Sequence, residues 1–201
     1  MIQYSAYTKN FLATFPELEK DFPWTIVGAS QNILQRKIKS LSSDYKVNHD
    51  VAIHKNAQIE ENVTLKGPII ISNSCFVGAH AYLRGGVYLG EKSIIGPGCE
   101  VKSSLIMSGS ALAHFNFVGD SLIGSYVNME AGSIIANHYN ERIDKTIFVM
   151  VNKKKTPIDS TKFGALIGDH TKIGANAVLS PGTIMLPESI VKRLELVEQC
   201  K

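Results

Sequence analysis

Four residues in this chain are spaced to hold an anion and to accept a proton beside it. Lys66, Arg84 and Lys102 fall eighteen apart, and His114 follows Lys102 by twelve. A row of cations does little for stability: two like charges ~5 Å apart repel by about 0.8 kcal/mol in bulk water and about 3 kcal/mol at a surface dielectric near 20. It does much more for holding an anion such as a phosphate, although splayed, solvated side chains or pairing with Glu100 would also relieve it. Histidine is the side chain that titrates near working pH, which suits it to accept a proton from a reacting group. A lone His beside an apolar position is more often structural, so the case for His114 rests on the company it keeps.

Both spacings are multiples of six, and six is the period of the chain from residue 51 onward. Ile53, Ile59, Leu65, Ile71, Val77, Leu83, Leu89, Ile95, Val101, Met107 and Ala113 are all apolar. The residue two before each is usually small or β-branched, as at Val51, Ala57, Cys75 and Cys99. Such a period fits neither an amphipathic helix nor an alternating strand and marks a solenoid. Three hexads make one triangular coil of eighteen residues, each hexad one short strand and a turn. Neighbouring coils lie roughly 4.8 Å apart, so Lys66, Arg84 and Lys102 stack on one face. His114, two hexads beyond Lys102, belongs to an adjoining side and meets the ladder around an edge or between subunits. The period slips there, with a step of four from Ala113 to Phe117. It resumes through Ile123, Met129 and Ile135 and, after an insert, at Ile167, Ile173, Leu179 and Met185. Local rules fail most often at functional sites, which draws attention to Ala113–Asn137.

The rest of the chain bounds the reading. Two hundred and one residues with 44% hydrophobic and 19% charged composition predict one domain with appendages. A net charge of +3 gives no reason to expect nucleic acid or membrane as a partner. The N-terminal residues lack a signal-peptide pattern, and no apolar run approaches the roughly twenty residues of a membrane span. Cys75 and Cys99 fall at inward positions, which predicts buried free thiols and a cytoplasmic setting. Residues 1–50 are expected to form a helical extension, irregular over Phe11–Phe22 and helical from Pro23. Residues 51–186 form the coil, interrupted at 138–163 by an arm containing Thr146–Val151 and the run Lys153, Lys154 and Lys155. Residues 187–201 are expected to be a short capping helix, because an open coil exposes backbone edges.

The stretches LRGGVYL, GCEVKSS, AHFNFVGDS, NMEAGSIIANHYN and GALIGDHTKIGANAVLSPGTIM resemble the acetyltransferase domain of bifunctional N-acetylglucosamine-1-phosphate uridyltransferases. They also resemble archaeal sugar-1-phosphate nucleotidylyltransferase/acetyltransferases. The resemblance spans about 51–137 and 163–186, and the AHFNFVGDS and ANHYN pair is its most specific part. It implies an all-β solenoid, a left-handed parallel β-helix, whose hand is an exception to the right-handed crossover rule. It implies His114 as catalytic base, Arg84 and Lys102 as binders of the sugar phosphate, and Phe117, Asn128 and Asn137 as substrate-site residues. Acetyl-CoA is the implied co-substrate, with Ala175, Lys153 and Lys154 as its candidate contacts, although a solvated loop tip would account for the lysines as well. The implied assembly is a homotrimer, with the arm reaching a neighbouring subunit or covering the site. Two departures stand out: Phe117 replaces the family's usual Tyr, and Ile143 occupies the place of an expected Lys, flanked by Arg142 and Lys145.

The expected chemistry is acetyl transfer from acetyl-CoA to the amine of an amino-sugar 1-phosphate or a nucleotide-linked amino sugar. No metal ligand spacing is present, and no covalent intermediate is required. FPWTIVGASQNIL resembles the helix that joins a nucleotidyltransferase domain to a β-helix, but no Gly-rich nucleotide motif accompanies it, so no nucleotidyl transfer is expected of this chain. The competing expectation is a non-catalytic β-helix that serves as an oligomerisation or regulatory module for a separate sugar-1-phosphate nucleotidyltransferase.

Overall fold

The computed structural model describes residues 2–151 and 153–200. From residue 51 the chain winds into a left-handed parallel β-helix, and the strand registers show its period. Val51 pairs with Ile69 and Ile69 with Val87; Gln58 pairs with Phe76 and Phe76 with Ile94. The third face runs Thr64, Tyr82, Glu100, Phe117, Ile134, Val178 and Leu196 in register. That face carries the cationic ladder. The seven-stranded sheet starting at Gln58–Ile59 is left bare, and the remaining face is covered.

The expected inward set holds as far as Val101 and then shifts by one residue. Ile106, Leu112 and Val118 fill the prism, not Met107, Ala113 and Phe117. The slip is therefore not between Ala113 and Phe117. It comes from two shortened corners, with five residues from Val101 to Ile106 and five from Val118 to Ile123. Ser103 (φ 47°) and Asp120 (φ 46°) stand at those corners in the left-handed region. That region turns the backbone sharply and lets the chain round the corner one residue sooner.

The covered face owes its cover to a second core. Ala52, Ile70, Tyr88, Leu105, Leu122, Leu166 and Ile184 stack in register and point outward. The N-terminal residues supply Tyr4, Phe11, Phe15, Ile26, Val27 and Leu34 against them. Phe15 meets Tyr88 edge-on at 5.1 Å between centroids. Each such side chain contributes about 1.5–3 kcal/mol on burial, which explains why this layer folds onto the coil. The helix Ser30–Ile38 docks where Gly86 has no side chain: a Cβ there would lie 2.5 Å from Ser30 Oγ and 2.8 Å from the Gln31 nitrogen.

Three expectations about the appendages are corrected. Residues 1–50 contain helices at Phe11–Thr14, Pro23–Gly28 and Ser30–Ile38, but they end in a strand, Tyr45–Asn48, antiparallel to Val51–His54. Residues 187–200 are not a helix: Ile190–Val191 and Leu196–Val197 add further strands to the coil. The hexad phase simply continues, burying Val191 and half-burying Val197. The arm is an antiparallel hairpin, Phe148–Val151 with Lys154–Pro157, folded onto its own covered face. Ile147 and Val149 are fully buried there, so the apolar arm needs no neighbouring subunit to cover it. Cys75 and Cys99 lie inside the prism, where burial pushes the Cys75 thiol up to about 11 and the Cys99 thiol up as well. Among the described residues no helix is long and apolar enough to cross a membrane.

Candidate functional site

The ladder is in register but it is not a row of bare charges. Lys66 and Arg84 are strand partners, as are Arg84 and Lys102, and Lys102 then faces Gly119. Arg84 donates from Nε and Nη2 to Glu100 Oε1 at 2.9 and 2.7 Å. Lys102 Nζ lies 2.8 Å from Asp120 Oδ2. Lys66 Nζ sits 5.1 Å over the Tyr82 ring, with the Arg84 guanidinium 5.6 Å from it. The two ion pairs differ in burial. The Arg84 and Glu100 side chains are 37% and 33% exposed, those of Lys102 and Asp120 only 17% and 8%. Arg84 is thus the ladder cation in the better position to meet a ligand.

Asp120 collects the other half of the site. Its Oδ2 also accepts from Asn137 Nδ2, and Asn137 Oδ1 lies 3.1 Å from His138 Nδ1. Asn137 marks the point where the arm leaves the coil, and its carbonyl accepts from the nitrogen of Phe163, where the arm returns. Gly119 provides the floor: a Cβ there would come within 2.9 Å of Asn137 Cγ and Nδ2 and of Phe117 Cε1. The Phe117 ring and the Asn137 amide therefore crowd onto one stretch of bare backbone. Neither Asp120 nor His138 was expected from the sequence. The signal was present, since eighteen-residue steps from Lys66 continue past Lys102 to Asp120 and His138.

His114 stands at the other edge of the ladder face, on the corner between Ala111–Leu112 and Phe117–Gly119. Its side chain is exposed and makes no hydrogen bond to another described residue, while its carbonyl accepts from Gly132 at 2.9 Å. Phe115, next to it, is 73% exposed. Asn128 lies round that corner on the bare face, exposed, in register with Ala111 and Lys172. One chain thus brings Arg84, Lys102, Phe117 and Asn137 onto the ladder face with His114 at its edge, and leaves Asn128 on the next face.

The expected coenzyme contacts do not come together within the chain. Ala175 is on the same corner as His114, and its nitrogen donates to Glu130 Oε2 at 2.9 Å. Arg193 grips the same carboxylate at 2.7 and 2.9 Å and holds Glu130 down to about 2. Lys153 and Lys154 are exposed at the hairpin turn on the covered face, away from that corner. Arg142 does not replace the missing Lys either: it lies 3.6 Å over the Tyr139 ring and pairs with Glu198, while Ile143 is fully exposed.

Comparison with known proteins places these features among relatives. The family model described as the GMPPB C-terminal domain matches residues 65–192. A bifunctional sugar-1-phosphate nucleotidylyltransferase/acetyltransferase of Sulfurisphaera tokodaii is 34% identical over 166 residues, 80% of this chain and 41% of that protein. The bifunctional protein GlmU of Methanococcus vannielii is 36% identical over 184 residues, 88% of this chain and 43% of that protein. The chain thus spans about two fifths of the length of these relatives. Among solved structures, the acetyltransferase domain of PglB from Neisseria gonorrhoeae is 16% identical, covering 81% of this chain and 64% of that one, with a TM-score of 0.43.

Proposed function

The chain belongs to the family of the GMPPB C-terminal domain, and from that membership and the site we propose that it is an acetyl-CoA-dependent N-acetyltransferase. The acceptor is an amino-sugar 1-phosphate or a nucleotide-linked amino sugar, and His114 is the general base. The observation that carries this reading is an exposed histidine, free of hydrogen bonds to described residues, at the edge of the face that holds Arg84, Lys102, Phe117 and Asn137. The name of the Sulfurisphaera tokodaii relative, a nucleotidylyltransferase/acetyltransferase, supports the reaction class. An ammonium has no lone pair, so His114 takes one of its protons before or during attack. The nitrogen then adds to the thioester carbonyl, and a backbone N–H stabilises the oxyanion. As collapse breaks the C–S bond, the proton that the nitrogen still has to lose passes to the departing thiolate, leaving the neutral amide and the coenzyme thiol. No nucleotidyl transfer is proposed for this chain.

The acceptor's anionic group belongs at Arg84. Charge-assisted hydrogen bonds contribute roughly 1.5–3 kcal/mol, so Arg84→Ala should raise the acceptor KM by about 10- to 100-fold and leave that for acetyl-CoA unchanged. Lys66→Ala, one coil further out, should change neither. Lys102→Ala is a poorer probe, because it strands the buried Asp120 carboxylate and costs stability as well. Equal effects on both substrates, or a Lys66 effect as large as that of Arg84, would count against a phosphate at the ladder.

Assembly as a homotrimer, with acyl-CoA in the grooves between subunits, completes the proposal. Ile94, Phe115, Ile190, Leu194 and Leu196 are 46 to 79% exposed on the bare and ladder faces and the corner between them. The covered face is already filled by the chain's own N-terminal layer, so subunits would meet through the other two. Light scattering at micromolar concentration should give the mass of three chains, and a monomeric mass contradicts this. A second reading, a non-catalytic module beside a separate nucleotidyltransferase, is favoured by the pairing of Arg84 and Lys102 with carboxylates of their own chain.

A further inference from the structure

We propose that His138 is a further residue of the acceptor site, and that Asp120, acting through Asn137, is the residue that positions it. The inference rests on the acetyltransferase reading for its functional half and on geometry alone for its positioning half. A carboxylate accepts hydrogen bonds and cannot donate them, so Asn137 must present its NH2 to Asp120. That fixes the amide and turns its oxygen to His138 Nδ1, 3.1 Å away. An amide oxygen also only accepts, so Nδ1 carries the proton and the lone pair is left on Nε2. Asp120 and Asn137, from successive coils, thus set the tautomer of an exposed imidazole. A nucleophile or base is commonly oriented by a third group in the same way.

The place of His138 decides what it does. It ends the chain Lys102–Asp120–Asn137–His138, at the same edge of the ladder face as Arg84 and Lys102 and three coils along from Arg84. His114 is at the opposite edge, where the amine belongs. His138 Nε2 therefore accepts a hydrogen bond from a hydroxyl of the acceptor sugar. It is a specificity-determining contact, and the proton of the reacting amine goes to His114. Asp120 and Asn137 are positioning residues for it.

Two measurements on the full chain test this. Long-range 1H–15N spectra of the histidine rings, assigned with His138→Gln, should show His138 protonated on Nδ1. The preference should weaken in Asp120→Asn, whose amide can donate as well as accept and no longer fixes the orientation of Asn137, and disappear in Asn137→Ala; a preference unchanged in Asp120→Asn overturns the role of Asp120. Calorimetric titration with glucosamine 1-phosphate should then give a Kd about 3- to 10-fold higher for His138→Ala, the loss of one hydrogen bond. His138→Gln, whose side-chain oxygen still accepts, should recover part of it. An Nε2-protonated ring in the wild type overturns the positioning claim, and an unchanged Kd in His138→Ala overturns the contact. If the wild type binds no glucosamine 1-phosphate, the acceptor reading fails and the contact with it, while the tautomer alone still decides whether Asp120 and Asn137 orient the ring.

Discussion

His114→Ala will lower acetyl transfer by about 10²–10⁴-fold, the range for a lost general base, and will leave the fold almost untouched. Both halves of that expectation follow from where the side chain is. It is exposed, it bonds to no other described residue, and it packs in neither core. Surface substitutions of that kind change stability by no more than about 0.5 kcal/mol. The backbone carbonyl that ties this corner to Gly132 is kept in the variant. Turnover would be measured alongside the thermal midpoint and the solution mass. Near-native turnover would show that another group takes the proton, and a collapsed midpoint would show that the ring is structural.

Gly96→Ala should be the most destabilising of the conservative changes, by more than about 4 kcal/mol, and should abolish activity as well. A Cβ at Gly96 would overlap the Ala113 carbonyl oxygen and come within 2.6 Å of its carbonyl carbon and 3.0 Å of the Leu112 oxygen. All three are backbone atoms, so no side chain can swing aside to make room. The backbone cannot shift freely either. Leu112 is fully buried in the prism, and the Gly96 nitrogen donates to the Leu112 oxygen at 2.8 Å. Overpacking in a well-packed core usually costs 1–3 kcal/mol, and a collision with backbone exceeds that. The displaced segment carries His114, and an error of about 1 Å in a catalytic group costs on the order of 10²-fold in rate. Gly28→Ala is the control, since a Cβ there meets nothing within 4 Å and the helix Pro23–Gly28 gains from the change. A denaturant midpoint for Gly96→Ala close to that of the control would mean that the corner is not rigid.

The solenoid was legible because its inward positions are large, apolar and evenly spaced from Ile53 to Val101. The shortened corners were not, because the residues beside the true inward ones are apolar too. Met107 and Ala113 satisfy the six-residue count as well as Ile106 and Leu112 do, and only the left-handed backbone at Ser103 and Asp120 decides between them. The docking of the N-terminal residues was not legible for a related reason. Its landing stripe, Ala52, Ile70, Tyr88 and Leu105, recurs once per coil, yet a six-residue count of inward positions does not mark an outward one as covered. At the C-terminus, Glu188–Gln199 reads equally as an amphipathic helix or as two more hexads, and a short apolar run cannot separate them by period.

The site was half legible by the same measure. The spacing of Arg84, Lys102 and His114 put them on and beside one face. Pairing with Glu100 was among the alternatives, and Arg84 makes it; the neutralisation of Lys102 was not visible, because the Asp120 carboxylate reaches it only from a corner with positive φ. The separation of Ala175 from Lys153 and Lys154 was hidden by the arm, whose hairpin folds back onto its own chain. The remaining eighteen-residue rungs, Asp120 and His138, lie in the sequence as plainly as the first three. They fall outside a search for like charges.

The central claim is acetyl transfer, and thiol release from acetyl-CoA tests it most directly. The purified chain would be assayed over a panel of amino-sugar 1-phosphates and nucleotide-linked amino sugars, with His114→Ala beside it. The account predicts acceptor-dependent release of the coenzyme thiol with at least one member of the panel, and its loss in the variant. Release no faster than background hydrolysis with every acceptor, from protein that is folded, would contradict it and leave the non-catalytic β-helix as the better description.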